Sequence, residues 1–394
     1  MKTCVIIAPN DRYNYGDLLF SHILREKIGE YYDTVINVAT IDSDLSQFGG
    51  HKVHSIKKIK DLVGNNNFDV ILAGGHSLFC QWPFVLFCLG HKYEWLSKLN
   101  VLFSKALGSA KANRIVNNLS RFVFGASTKY PYSIGKFEIK GIHKLIYNCI
   151  DGNFDECLDI TDKKILKSVD HLSIRNKTTH TKLKGLGIDS FVAPDSAIQI
   201  SQIFPIQTII DRASINPEYF KSSYIVFQVN RGLEEQHISA ICCNLAKITK
   251  EHNIKIYLCP IGFAKGHEDL MALNKIYECM ANDKIRLFEK LNIWDIMCLI
   301  ANSQGFIGTS LHGCITAMSY CRPYIGLDVT KTLDYIRDWG LGNDFCASCN
   351  DFFNKYINLK NCPQKLLDGN FQDQLKKSED NFRNLRECLN LNSF

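Results

Sequence analysis

Three side chains suited to holding an anion, or to moving a proton on one, stand at matching places in the chain. Arg175 follows the apolar run ending at Ser173–Ile174, Arg231 follows Tyr224–Val229, and His312 follows the run ending at Ile307. A guanidinium donates two parallel hydrogen bonds to a carboxylate or phosphate, and imidazole exchanges protons near neutral pH. Side chains just past the ends of buried parallel strands face the crevice in which open α/β sheets bind ligands. The three positions therefore predict a small, multiply charged anion gripped between βα units. Singly, each has a plainer reading: a surface charge for either arginine, a cap on its own helix for His312. Lys265 and Lys331 are further cationic candidates, less closely tied to strand ends.

The segment Phe306–Leu327 positions His312. Gly305–Ile307 ends a short buried strand, and Gly308-Thr309-Ser310 is a small-residue turn. Leu311–Tyr320 then has helical spacing, with Leu311, Ile315 and Met318 on one face. Arg322-Pro323 stops the helix and Tyr324–Leu327 is the next strand. Free amides around Ser310 and Leu311, with the partial positive charge of a helix start, offer a second hold on an anion. Asn14-Tyr15-Gly16-Asp17 joins the apolar strand Cys4–Ala8 to a helix over Leu18–Tyr31. It reads as a turn with Asp17 as a helix cap, as polar groups facing the cleft, or as both. Gly74-Gly75-His76-Ser77 closes the strand Asp69–Ala73, either as a tight turn or where a ligand nears the backbone.

The 394 residues suffice for two domains with ordinary cores. The composition is globular, with 46% hydrophobic and 22% charged residues. A net charge of +6 permits anionic substrates or a membrane surface but does not argue for nucleic acid. The 16 cysteines are scattered, many within apolar elements, and Cys346-Ala-Ser-Cys349 has no second pair to make a zinc site. With no secretory signal in Met1–Ile7 and no apolar run long enough to span a bilayer, a cytoplasmic protein with reduced thiols is expected.

Alternating strands and helices predict an α/β fold of two Rossmann-like domains facing a cleft. The expected boundaries are 1–205 for the first domain, a linker over 205–217, 218–345 for the second domain, and a helical tail at 346–394 that packs back on the first. Further strands are expected at Thr34–Ala39, Lys144–Ile150, Ile254–Cys259 and Ile285–Phe288, with helices at Glu234–Glu251 and Trp294–Ala301. Residues 82–125 interrupt the pattern with aromatic side chains, from Trp82 and Tyr93 to Phe122, among basic ones from Lys92 to Arg121. Extended to Lys144, the stretch holds about ten basic residues against two acidic ones. It reads as an amphipathic helix pair with a solvated basic face or as a device lying on an anionic membrane.

No phosphate-binding P-loop, dinucleotide fingerprint or nucleophile elbow is present, and no carboxylate cluster calls for a metal. No cofactor is therefore expected. The ordered set Asn14-Tyr-Gly-Asp17, Gly74-Gly75, Ser173-Ile-Arg175, Val192-Ala-Pro-Asp195, Pro260-Ile-Gly262 before Glu268-Asp269, and Gly308-Thr-Ser-Leu-His-Gly313 before Arg322-Pro323 resembles the polysaccharide pyruvyl transferase family. The resemblance implies a GT-B-like fold and transfer of the pyruvyl group of phosphoenolpyruvate onto two hydroxyls of a sugar, of galactose or mannose type, forming a cyclic ketal. Joined to the strand-end placement above, it leads to Arg175, Arg231, Ser310, Leu311 and His312 as the expected phosphoenolpyruvate site, with His312 and Asp17 catalytic. Asn14, Asp17, His76 and Glu268 would hold the glycan acceptor, a precursor of a bacterial cell-surface polysaccharide and lipid-linked at the inner face of the membrane. Many family members carry Arg where this chain has Ser310, so either Arg175, Arg231 or a lysine supplies that charge or the donor chemistry differs. A glycosyltransferase using a nucleotide sugar, with Glu268-Asp269 as the recognising carboxylates, and a non-catalytic saccharide-binding protein are the alternatives.

Overall fold

The computed structural model describes residues 2–90, 94–152, 158–232, 235–280 and 282–391. Lys92 and Tyr93 of the aromatic and basic stretch, and Glu234 at the head of a predicted helix, lie outside the described residues. Two sheets carry the fold. The first joins β1 (Thr3–Ile7), β2 (Thr34–Ala39), β3 (Ser43–Asp44), β4 (Lys52–Ser55), β5 (Phe68–His76), β6 (Ile142–Asp151), β7 (His171–Ile174) and β8 (Phe191–Val192) in the order β3-β4-β2-β1-β5-β6-β7-β8. The second joins β9 (Tyr224–Gln228), β10 (Lys255–Leu258), β11 (Ile285–Leu287), β12 (Phe306–Gly308), β13 (Tyr324–Leu327) and β14 (Cys346–Ala347) in the order β11-β10-β9-β12-β13-β14. All pairings are parallel except β3 with β4. β1, β9 and β13 are buried along their whole length, as strands covered on both faces by helices must be.

In each sheet the strand order reverses beside its first strand: between β1 and β5, and between β9 and β12. Each reversal opens a crevice at the carboxyl ends of the strands, and the two crevices face one another. The helices Tyr15–Ile28, Ile293–Ala301 and Leu311–Ser319 lie between the sheets, where one apolar cluster, with Leu19, Ile23, Met297 and Ile315 among its members, joins both halves. The chain after β1 is sewn to the second half through its backbone. Tyr15 N donates to Ile261 O at 3.1 Å, and Tyr13 O accepts from Phe263 N at 3.2 Å and Ala264 N at 3.0 Å.

The stretch 205–217, expected to be a linker, contains the helix Ile206–Arg212, anchored by buried Ile209. Beyond residue 345 the chain divides. β14 extends the second sheet, and Phe353–Lys360 stays with it: Asn244 accepts from Phe353 N at 2.9 Å and donates to Asn350 O at 3.0 Å. The long helix Gln364–Cys388 crosses back to the first half, where Asn381 Nδ2 donates to Asn148 Oδ1 at 2.8 Å. Among the described residues of 82–124 lie the helices Trp82–Cys88, Glu94–Leu107 and Ser109–Phe124, the last two packed together as a hairpin.

Candidate functional site

A cavity of about 320 Å³ occupies the space where the two crevices meet. The first half contributes Pro9, Arg12, Asn14 and Asp17 after β1, and Gly75, His76 and Ser77 at the end of β5. The second contributes Gln228 and Asn230 after β9, Gly262 and Asp269 after β10, Thr309 to His312 after β12, and Lys331 after β13.

His312 is the second residue of its helix. Ser310 caps that helix, its hydroxyl accepting from Gly313 N at 3.2 Å, while Ser310 N donates to Gln228 Oε1 at 2.8 Å. The first amides of a helix have no partner within it, so those of Leu311 and His312 are left at the cavity wall. The ring of His312 is wedged between the domains. Phe20 meets it edge-on at 5.4 Å, and a Cβ built on Gly16 would lie 1.8 Å from its Nδ1. Only glycine at position 16 admits the imidazole there. Its Nε2 is buried without a hydrogen-bond partner among the described residues and lies 3.7 Å from Asp195 Oδ2.

Arg175 also reaches the cavity, though only 2% exposed. Its guanidinium binds Asp195 and lies 3.8 Å from Asp151. Burial disfavours its charge, but the two carboxylates outweigh burial and hold the guanidinium ionised. Asp195 balances it: burial would raise its carboxyl, yet Arg175 and then His312 hold it near 2. Asp151, though pushed upward by burial, is held below the usual carboxylate range by His76, Arg175 and Thr179. One cation therefore sits between two permanent anions, with His76 at 3.4 Å and Trp339 Nε1, which donates to Arg175 O at 2.7 Å, closing the cluster.

Arg231 does not converge with Arg175. The chain has already turned beyond β9, and Arg231 N donates to His267 O at 3.3 Å. Its guanidinium is spent on Glu268 at the surface, and neither residue lines the cavity. This corrects the expected pair of converging arginines, and it moves Glu268 away from the acceptor wall. Two other cations line the cavity: Lys331, a secondary candidate from the sequence, and Arg12, which the sequence did not single out. Lys331 lines the cavity, and no carboxylate lies within ion-pair distance among the described residues; enclosure by the walls, and then the Arg175 charge, lower its pKa. Arg12 lies over the Tyr132 ring and donates to its hydroxyl at 3.1 Å, while its Nη1 is buried without a partner among the described residues.

Asp269 forms the floor. Its Oδ2 accepts from Gln228 Nε2 at 2.8 Å and from the amides of Ile261 and Gly262, each at 2.9 Å. Burial raises the carboxyl to about 6, and these donors recover only part of that shift. The cavity thus holds a carboxyl able to carry a proton near neutral pH beside one unpaired ammonium.

A profile of the polysaccharide pyruvyl transferases matches residues 14–331, from Asn14 of the cavity wall to Lys331. The chain belongs to the polysaccharide pyruvyl transferase family. This transferase also shares its architecture with solved structures of other proteins. A UDP-GlcNAc 2-epimerase of Methanocaldococcus jannaschii, in complex with UDP-GlcNAc and UDP, matches at 12% identity and a TM-score of 0.52, over 92% of this chain and 94% of that one. S. aureus MnaA with UDP matches at 12% identity and 0.54, over 100% and 98%. A Neisseria meningitidis UDP-GlcNAc 2-epimerase bound to UDP-GlcNAc matches at 10% identity and 0.52, over the whole of both chains. At such identity the likeness is one of fold: the transferase is GT-B-like, with two Rossmann-like domains. No curated protein sequence matches the transferase.

Proposed function

We propose that the transferase moves the pyruvyl group of phosphoenolpyruvate onto two hydroxyls of one sugar, forming a cyclic ketal and releasing phosphate. The observation that carries this reading is the convergence of Arg175, Lys331 and the unpaired amides of Leu311 and His312 around a cavity of about 320 Å³. That is room for a three-carbon phosphate and the end of a saccharide. Arg175 and Lys331 hold carboxylate and phosphate, with Lys331 supplying the charge that Ser310 lacks.

In the reaction the methylene carbon is protonated and the central carbon becomes cationic. One sugar hydroxyl adds to it, the bond to phosphate oxygen breaks, and the second hydroxyl closes the ketal. Of the two hydroxyl protons lost, one is balanced by the new methyl group and the other leaves on phosphate. His312 is the acid and base of these steps, with its unpartnered Nε2 held opposite Asp195. Asn14, Asp17 and His76 form the acceptor wall from the first domain, Asp17 serving as base to a sugar hydroxyl. The acceptor is a polysaccharide precursor, lipid-linked at the inner face of the cytoplasmic membrane, with a sugar of galactose or mannose type.

Incubation with phosphoenolpyruvate and lipid-linked galactose or mannose acceptors, followed by mass spectrometry, tests the proposal. The product is expected to gain one pyruvyl group less water, with one phosphate released per ketal. His312→Ala with near-normal turnover would remove His312 from the chemistry. Thermal stabilisation by nucleotide sugars but not by phosphoenolpyruvate would replace the reading with that of a glycosyltransferase.

A further inference from the structure

We propose that the outer face of the helical hairpin 94–124 docks the protein on an anionic lipid bilayer, with the cavity mouth beside the membrane. Of the 14 exposed large hydrophobic side chains among the described residues, eight lie between Phe84 and Val123. Trp95, Val101 and Leu102 stand out from the first helix, Ile115 and Phe122 from the second, Phe122 being 84% exposed. At 100° per residue, Trp95, Lys98, Leu102 and Lys105 share one side of the first helix, and Lys111, Arg114, Ile115 and Phe122 one side of the second. Apolar side chains thus alternate with cations on the surface the hairpin turns to water.

The inner face is already used. Leu96, Ala112 and Val116 are buried, Asn100 donates to Asn113 across the hairpin at 2.9 Å, and Asn117 accepts from Trp82 N at 2.9 Å. The outer face is exposed, Val101, Leu102 and Phe122 being 58%, 59% and 84% exposed, and its charge selects the occupant. On the hairpin, Lys98, Lys105, Lys111 and Arg114 are exposed against the single acidic residue Glu94, while Lys129 and Lys136 beyond it are paired with Asp159, Asp162 and Asp170. Glu94 is itself engaged, with Lys98 at 3.8 Å and Lys265 at 3.0 Å. Apolar side chains that can enter the headgroup layer, ringed by cations, complement an anionic bilayer, whose surface attracts each nearby Lys or Arg. No described helix is long and apolar enough to cross a membrane, so contact by this face is interfacial.

The hairpin also adjoins the cavity. Phe84 and Cys88, on the helix leading into it, line the cavity wall, and Lys265 of the opposite domain sits 4.7 Å from the Phe87 ring. A headgroup rising from the bilayer would enter beside Arg12. That the headgroup is the acceptor rests on the transfer reading above; the docking surface does not.

The test is co-sedimentation of the whole chain with vesicles of phosphatidylglycerol and phosphatidylcholine, and with phosphatidylcholine alone, at low and high salt. Two variants are compared with the parent, Lys98→Glu/Lys105→Glu/Lys111→Glu/Arg114→Glu and Leu102→Ser/Phe122→Ser. The parent is expected to be retained on anionic vesicles at low salt and released at high salt. Each variant should partition at least about tenfold more weakly with an unchanged unfolding temperature, because the altered side chains are exposed and, among the described residues, only Lys98 has an ionic neighbour, Glu94 at 3.8 Å. Equal retention of parent and variants, equal binding to neutral vesicles, or a concentration-dependent dimer abolished by Leu102→Ser/Phe122→Ser without vesicle binding would each overturn the proposal. Phosphate release with a water-soluble saccharide acceptor is read in parallel. Release without vesicle retention sinks the docking surface alone, and retention without release sinks the transfer reading alone.

Discussion

Arg175 and Lys331 are both cations of one cavity, yet they answer to different physics. Arg175 is buried against Asp195 and Asp151, so Arg175→Ala strands two carboxylates away from water. A loss of about 3–5 kcal/mol is expected, measured as a lower urea midpoint together with lost turnover. Lys331 is an exposed residue at the cavity wall, with no carboxylate within ion-pair distance among the described residues. Lys331→Ala is expected to leave stability within about 0.5 kcal/mol and to raise the KM for phosphoenolpyruvate by about tenfold or more. If the two variants behaved alike in urea, the assignment of one to scaffold and site and the other to site alone would fail. The sequence named Arg175, His312, Asn14 and Asp17 because each follows a strand, which is a local property. It missed Arg12, whose place depends on Tyr132, 120 residues away, and it overvalued Arg231, whose partner Glu268 is set by how two loops meet.

The helices Tyr15–Ile28 and Leu311–Ser319 fix the approach of the two domains, and Gly16 lies against the His312 ring. A methyl group there collides with the His312 ring, 1.8 Å from Nδ1. Gly313 shows the same constraint from the other side, since its Cβ would meet the Phe306 ring at 2.2 Å. Gly16→Ala is expected to displace His312 and cut turnover at least about a hundredfold, the scale of a misplaced acid–base group, with the far-ultraviolet circular dichroism unchanged. Full activity in that variant would mean that His312 can leave its seat without consequence. The long elements were legible because buried parallel strands and amphipathic helices repeat their signal over many residues. β3, β4 and β14 were not, being two to four residues long and held by their neighbours in the sheet.

On the scale of the whole molecule, the joint between the domains is expected to weaken in acid. The rings of His22 and His51 lie 4.1 Å apart, tilted by 40°, with Trp294 of the second half edge-on to His22 at 5.2 Å. Burial lowers His22 to about 4, aided by Arg212 and Arg25, and lowers His51 to about 3, aided by His22. The unfolded chain takes up these protons from about 6.5 downward, whereas the folded chain resists, so stability falls as pH drops from about 6.5 toward 4. Asp269, raised to about 6 in the fold, acts in the opposite sense between about 4 and 6, so the slope must be read by difference. His22→Gln/His51→Gln is expected to lose less stability than the parent between pH 6.5 and 4.5, followed by urea unfolding at each pH; parallel curves would exclude the pair as the cause. By itself the sequence determined the two βα domains, the order of the motifs and the family, because hydrophobic period, glycine turns and helix stops act over a few neighbouring residues. Only the tertiary structure decided which cations share the cavity, that Asp195 stands behind both Arg175 and His312, and that the hairpin leaves its apolar face uncovered. Those outcomes depend on contacts between segments tens to hundreds of residues apart, and no local pattern encodes such distances.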